Sequence, residues 1–191
     1  MSQTHIVDGR IDHRPGVSGD TEPMTGPPPD PDEFREFMSH WPTGVSVVTS
    51  RLGNRPAGCT VNAVMSVSLS PPLLVISLGH DSGTLAAIER TGAFAINVLS
   101  ADQRDLCGRF ARGEQSDRFR GVPVQYLRDV PVLCDSLATA ICTVRGATRC
   151  GDHVLVVGMP VWQNARPKAG PPLVFHDHHL LGLPTTDAGE G

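Results

Sequence analysis

Of the chain's 191 residues only Lys168 is lysine and only Tyr126 is tyrosine, and the remaining basic residues are arginines scattered without a run. At a formal net charge of −4 such a sequence lacks the clustered cations that phosphate neutralisation requires, so no nucleic acid partner is expected. Five cysteines (Cys59, Cys107, Cys134, Cys142, Cys150) show no C-x-x-C spacing. That argues against a zinc knuckle, and the odd number argues against a disulfide framework. No apolar run approaches the roughly 20 residues that span a bilayer. The stretch from Met1 to Arg10 also lacks the basic start and apolar segment of a signal peptide. A soluble cytoplasmic protein with reduced thiols and no membrane contact is expected. No G-x-G-x-x-G follows the first candidate strand, so a Rossmann dinucleotide site is unsupported.

What is present fits one domain with loose ends. Residues 1–30 hold Pro15, Pro23, Pro27, Pro28 and Pro29 among Gly, Asp and Thr, with almost no apolar periodicity. They read as a disordered leader, and residues 184–191 read as a disordered tail. The folded unit is then 31–183, long enough to bury a core without staples. Pro31-Asp32-Glu33 opens a helix, since acidic side chains suit a helix N-terminus. Phe34, Phe37, Met38 and Trp41 recur at i, i+3, i+4 and i+7 as one apolar face, and Pro42 ends it. Short β-branched runs follow at 45–49, 57–61, 73–78, 93–98, 139–147 and 153–161. Helical stretches at 84–90 and 101–112 interrupt them. Strands so often adjacent predict a mainly β fold with peripheral helices, a closed or partly closed antiparallel β-barrel.

Three segments carry chemistry. Gly58 to Pro72 sets Thr60, Asn62, Ser66 and Ser68 between apolar residues where a core strand would be apolar throughout. It reads either as a loop offering N–H groups and hydroxyls to a flat heteroaromatic ligand, or as a strand showing hydroxyls to water. Each such bond is worth about 0.5–1.5 kcal/mol net, so a set of them is needed. Ser82-Gly83-Thr84 heads a helix, where free N–H groups and the dipole suit a phosphate or simply a cap. Gly151-Asp152-His153 is a turn leading into an apolar strand, with His153 at its mouth.

In chain order, the motifs are Phe34-Arg35 through Trp41-Pro42-Thr43-Gly44-Val45, then G-x-T-x-N-A-x-x-S-V-S with Pro71-Pro72, then Ser82-Gly83-Thr84. Phe94 to Leu99 with Gln103, Phe110, Asp117-Arg118-Phe119, Gly151-Asp152-His153 and Pro172 to Phe175 follow. This series resembles the flavin reductase family with a split-barrel FMN-binding fold, over about 150 residues of the sequence. The resemblance implies the split, Greek-key form of the antiparallel β-barrel, and a homodimer holding FMN or FAD near the subunit interface, with NADH (or NADPH) as co-substrate. It also implies that reduced flavin passes to a partner monooxygenase. Carried over, Thr60, Val61, Asn62 and Ala63 line the ribityl and phosphate side, and Ser66, Val67 and Ser68 meet the isoalloxazine edge. Ser82 and Thr84 bind phosphate; Thr43, Asn97, Gln103 and Phe110 lie close to the flavin. His153 contacts the nicotinamide, and Arg118 is a second candidate for that contact.

One departure is Phe175-His176-Asp177-His178-His179, where the family often carries Tyr-x-x-x-Tyr. Period-two spacing would put His176 and His178 on one strand face with Asp177 as an extra ligand, a metal reading set against a plain polar edge strand. No metal is expected. Rival readings are a flavoprotein that retains FMN and acts on a small molecule itself, and a non-catalytic flavin-binding module.

Overall fold

The computed structural model describes residues 26–166 and 170–184, together with the backbone of Ile6, Val7, Arg10 and Ile11. Those four residues form the short strands β1 (Ile6–Val7) and β2 (Arg10–Ile11), paired antiparallel. The rest of the expected leader up to residue 25, and 185–191 of the expected tail, lie outside the described residues.

Helix α1 (Pro31–Ser39) starts where the acidic turn predicts. Asp30 caps it, accepting from the Asp32 amide, and Glu33 reaches back to the Asp30 amide in a capping box. Its apolar face is not buried as the periodicity predicts: Phe34, Phe37, Met38 and Trp41 are 54%, 70%, 43% and 68% exposed. Polar contacts hold the helix instead. The Asp177 amide donates to Ser39 O at 2.8 Å, and His178 Nε2 lies 3.2 Å from Glu36 Oε2. Periodicity tells which side chains share a face and not what covers it.

The strands that follow are β3 (Thr43–Gly44), β4 (Ser46–Leu52), β5 (Arg55–Val61), β6 (Val64–Leu69) and β7 (Pro72–Gly79). After helix α2 (Gly83–Thr91) come β8 (Ala93–Val98), a 3₁₀ turn at 101–103 and helix α3 (Arg104–Arg112). The chain ends with β9 (Val124–Leu127), β10 (Val130–Leu133), β11 (Ala138–Cys150), β12 (His153–Ala165), β13 (Leu173–His176) and β14 (His179–Gly182). Seven strands make one sheet in the order β5-β4-β8-β11-β12-β7-β6, and every ladder among the described residues is antiparallel. The two ends of that order, β5 and β6, are joined through Asn62-Ala63 but not paired, so the barrel is split there.

All six predicted runs are strands. Missed were β3 and the short hairpins β9–β10 and β13–β14; the serines of β6 lie on a strand, one of the two readings open for that segment. The β9–β10 turn is made by Arg128 and Asp129 at positive φ (50° and 65°), without the glycine that usually signals such a turn.

Alternation of side chains across the strands makes two cores. Inside the barrel Val48, Val61, Ile76, Phe94, Ile96 and Val156 pack with Leu85 and Ile88 of α2, which plugs one end. On the outer face Val45 and Val47 pack with Phe110 of α3, Leu133 and Leu173. No helix among the described residues is long and apolar enough to cross a membrane.

The inner core closes over Gly158, where a Cβ would stand 2.5 Å from Phe94 Cζ and 3.1 Å from Cys142 Cβ. Gly158→Ala is therefore expected to destabilise the fold by about 1–3 kcal/mol, the usual cost of overpacking, read as a lower urea midpoint at unchanged slope. All five cysteines are free. Burial pushes the Cys142 thiol up to about 12, whereas Cys150 is exposed. A thiol reagent at pH 8 is expected to label Cys150 in the native protein and Cys142 only after unfolding, because the thiolate is the reactive form.

Candidate binding site at the open edge of the barrel

Strand β5 is an edge strand, and its two faces look at different helices. On the inner side Cys59 lies against the head of α2. Burial pushes its thiol up, while the Thr84 and Ser82 hydroxyls and the Arg118 charge pull the other way. On the outer side Thr60 Oγ1 donates to Cys107 O of α3 at 2.7 Å.

Gly58 makes the outer side possible. A Cβ there would stand 3.0 Å from Phe119 Cζ, 3.1 Å from Phe110 Cε1 and 3.2 Å from Thr49 Cγ2. The two rings meet edge to face, 4.9 Å apart at 89°. Between them and α2, Arg118 is held by three bonds: Nη1 to Gly58 O (2.7 Å) and Gln115 Oε1 (2.8 Å), and Nε to Gly113 O (2.7 Å). A guanidinium locked in this way is a pre-set anion partner.

The head of α2 lies close by, on the other side of Cys59. Ser82 Oγ accepts from the Thr84 amide at 3.2 Å, and no atom lies within 4 Å of where a Gly83 Cβ would be. Thr84 is fully buried, yet its Oγ1 makes no hydrogen bond of normal geometry and sits beside the Cys59 thiol. Open space at Gly83 and a helix N-terminus suit a phosphate.

Two cavities flank β5. One of about 530 Å³ is lined by Thr60 and Asn62, by Arg104 and Arg112 of α3, and by Phe175 and His178 of the C-terminal hairpin. The other, about 700 Å³, touches Ala57, Gly83, Gln115 and Phe119. Arg104 and Arg112 were missed in the sequence. They share a helix face with Asp105, Gly108 and Ala111 in that cavity, a 3.6-residue pattern that could have found them.

Beyond Asn62, Ala63 O accepts from the Ser77 amide. Strand β6 then carries Ser66 and Val67 in the open, with Ser68 half-buried. Its register slips between Ser66 and Ser68, so Val67 is the extra residue of a bulge whose backbone is left unpaired. That is the form the flat-ligand segment takes: strand with a bulge, not loop.

Several of the expected site residues have side chains engaged within the fold. Val61 faces the inner core and Phe110 is wholly buried in the outer one, so both support the site from behind. Asn97 is also fully buried: Nδ2 donates to Val47 O and Thr49 Oγ1, and Oδ1 accepts from the Leu133 amide. It ties β8 to β4 and β10. Gln103 braces a loop, donating to Cys134 O and accepting from the Ser100 amide. Thr43 pairs with Phe175 in the β3–β13 ladder, next to the first cavity, with its Oγ1 buried and unbonded.

His153 stands opposite Gly79 in the β12–β7 ladder, and the His80 amide donates to Asp152 O at 3.0 Å. Its Nδ1 lies 2.8 Å from Asp152 Oδ1. That hydrogen bond, and then the charge of His153, hold the Asp152 carboxyl below its ordinary range. The histidine therefore sits beside the loop that starts α2. The supposed metal face does not form. His176 ends β13, Asp177 and His178 make the turn at positive φ, and His179 begins β14. Among the described residues no group of three or more His, Cys, Asp or Glu could hold a metal.

Known proteins resemble this chain in sequence and fold. The model of the flavin reductase like domain matches residues 38–184. A flavin reductase (NADH) of Kitasatospora aureofaciens is 40% identical over 151 residues, 76% of this chain and 78% of that protein. The reductase component of a 4-nitrophenol 4-monooxygenase/4-nitrocatechol 2-monooxygenase from Rhodococcus opacus is 34% identical over 149 residues, covering 78% and 79%. Among solved structures, the NADH:FAD oxidoreductase of Streptomyces globisporus in complex with NAD and FAD fragments superposes with a TM-score of 0.77. It is 28% identical, covering 83% of this chain and 95% of that one. The split barrel, the anion-ready head of α2 and the open β6 edge are thus those of a chain that belongs to the flavin reductase family.

Proposed function

We infer that this protein is an NADH-dependent flavin reductase whose reduced flavin is used by a separate monooxygenase. The observation that carries the reading is the pairing of a built anion site at Ser82, Gly83, Thr84 and Arg118 with the open, bulged edge of β6. When bound, the flavin supplies the redox chemistry by accepting a hydride from the nicotinamide. The chain's own residues bind and orient. Gly83 and Ser82, with the α2 dipole and the fixed Arg118 guanidinium, hold the phosphate. Thr60, Asn62 and Ala63 guide the ribityl chain around the β5 edge, and the backbone at Ser66–Ser68 faces the ring edge, where aimed donors stabilise charge that appears on reduction. His153 serves the nicotinamide, with Asp152 fixing its Nδ1.

The β6 edge also points to a homodimer. Val64, Met65, Val67 and Leu69 are 37%, 61%, 51% and 90% exposed there, apolar side chains on a strand paired only with β7, and proteins ordinarily cover such a free edge. A second copy covers it by a two-fold contact.

Purified protein is expected to oxidise NADH at 340 nm only when flavin is added, and the better of FMN and FAD names the preferred one. Absence of turnover despite flavin binding would overturn the reductase reading. Flavin that survives gel filtration with slow free-flavin turnover would favour the self-contained flavoenzyme. For the phosphate site, Ser82→Ala is expected to weaken FMN binding at least about tenfold, of the order of one charge-assisted hydrogen bond. Riboflavin, which lacks the phosphate, should be affected far less. An unchanged FMN-to-riboflavin affinity ratio in a fluorescence titration would remove the phosphate from that position.

A further inference from the structure

FMN would account for only one end of β5. In the proposed site the ring lies along β6, the ribityl chain passes Asn62 and Thr60, and the phosphate meets the α2 head, against which Cys59 lies. A flavin mononucleotide ends there. The cavity of about 700 Å³ does not: it takes in Gly83 and runs on past Ala57, Pro56 and Arg55 to Leu52 at the β4–β5 turn. From Cys59 to Arg55 is about 13 Å of extended strand. The volume lies in the range of about 300–1,000 Å³ that small-molecule sites occupy. Beyond a phosphate at α2 there is thus room for a nucleotide.

We propose that this cavity is an adenylate subsite, which takes the AMP half of FAD and makes FAD the preferred flavin over FMN. This rests on the flavin reductase reading and on the phosphate position at α2. The lining matches the chemistry of that half. Arg55 is exposed and has no ion pair among the described residues, so its guanidinium is free for the second phosphate. Leu52, 43% exposed, and Phe119 give apolar walls for a flat base. Gln115 Oε1 accepts from Arg118, which fixes the amide, while its Nε2 is buried without a hydrogen-bond partner and remains a donor for the base or the ribose. Glu114 stands exposed in the same lining, an acceptor of the kind that takes ribose hydroxyls. Pro56 removes a backbone donor from this edge strand, and proline there discourages pairing by another strand, so the edge stays open to a ligand.

Titration calorimetry of the full chain with FMN and with FAD tests this, alongside kcat/KM for each flavin at saturating NADH. The wild-type chain is expected to bind FAD at least about tenfold more tightly than FMN. Arg55→Ala and Leu52→Ala change exposed side chains, so neither leaves a cavity in the core. Each should weaken FAD several-fold, and together they should bring the FAD-to-FMN affinity ratio to about one. FMN, which ends at its phosphate, should keep its affinity within about twofold in all three variants, and kcat/KM for FMN with it. Equal affinity of the wild-type chain for the two flavins overturns the adenylate subsite while the flavin reductase reading stands. So does an FAD advantage that survives in the double variant, which would place the AMP half elsewhere, and so does a loss of FMN as large as the loss of FAD. A wild-type chain that binds neither flavin overturns the flavin reductase reading itself.

Discussion

The rings of Phe119 and Phe110 touch the β5 backbone at Gly58, in the place where any other residue would put a methyl group. Because the backbone is bare there, the 113–119 turn and α3 can close onto an edge strand, and Arg118 can reach Gly58 O from the next residue along. Two residues further, the same outward face offers Thr60 to α3. Between them, the inward face offers Cys59 to α2. One glycine thus sets the outer wall of the first cavity and the position of the cation that faces the α2 head. A side chain at Gly58 would displace both, since ring and strand are already at van der Waals limits.

Barrels normally close so that no strand edge is left unpaired. This one stops short between β5 and β6, and the proposed flavin-binding segments lie on either side of the gap. Elsewhere the sheet is braced firmly. Asn97 is buried among Val47, Thr49 and Leu133 with donors and acceptor engaged, and a satisfied polar group of that kind fixes how strands and hairpin meet. Thr49 adds a bond to Pro131 O from the same region. Stiffness on the β4-β8-β10 side and openness on the β5–β6 side suit a cleft that must admit two aromatic ligands in turn.

Helix α1 shows how polar contacts can position an element whose apolar face finds no cover within the described chain. Its capping box starts it, and Ser39 and Glu36 tie it to the β13–β14 turn. That turn presents His178 to the first cavity. The cavity, the helix and the C-terminal hairpin are therefore one unit, although their residues are far apart in the chain.

The six long strands, helices α2 and α3 and the start of α1 could all be read from periodicity and turn residues, because each rests on local chemistry. A glycine, a cap or an alternating run acts on its neighbours whatever the rest of the chain does. The free state of the five cysteines agrees with their odd number and scattered spacing. Tertiary structure decided which side of each strand met which helix. It placed Asn97, Val61 and Phe110 behind the site, and it set His176, Asp177, His178 and His179 across a turn and away from a shared strand face. It also put Ser66 and His153 on opposite flanks of β7. That separation follows from the register of three strands, and register depends on long-range pairing that no local pattern encodes.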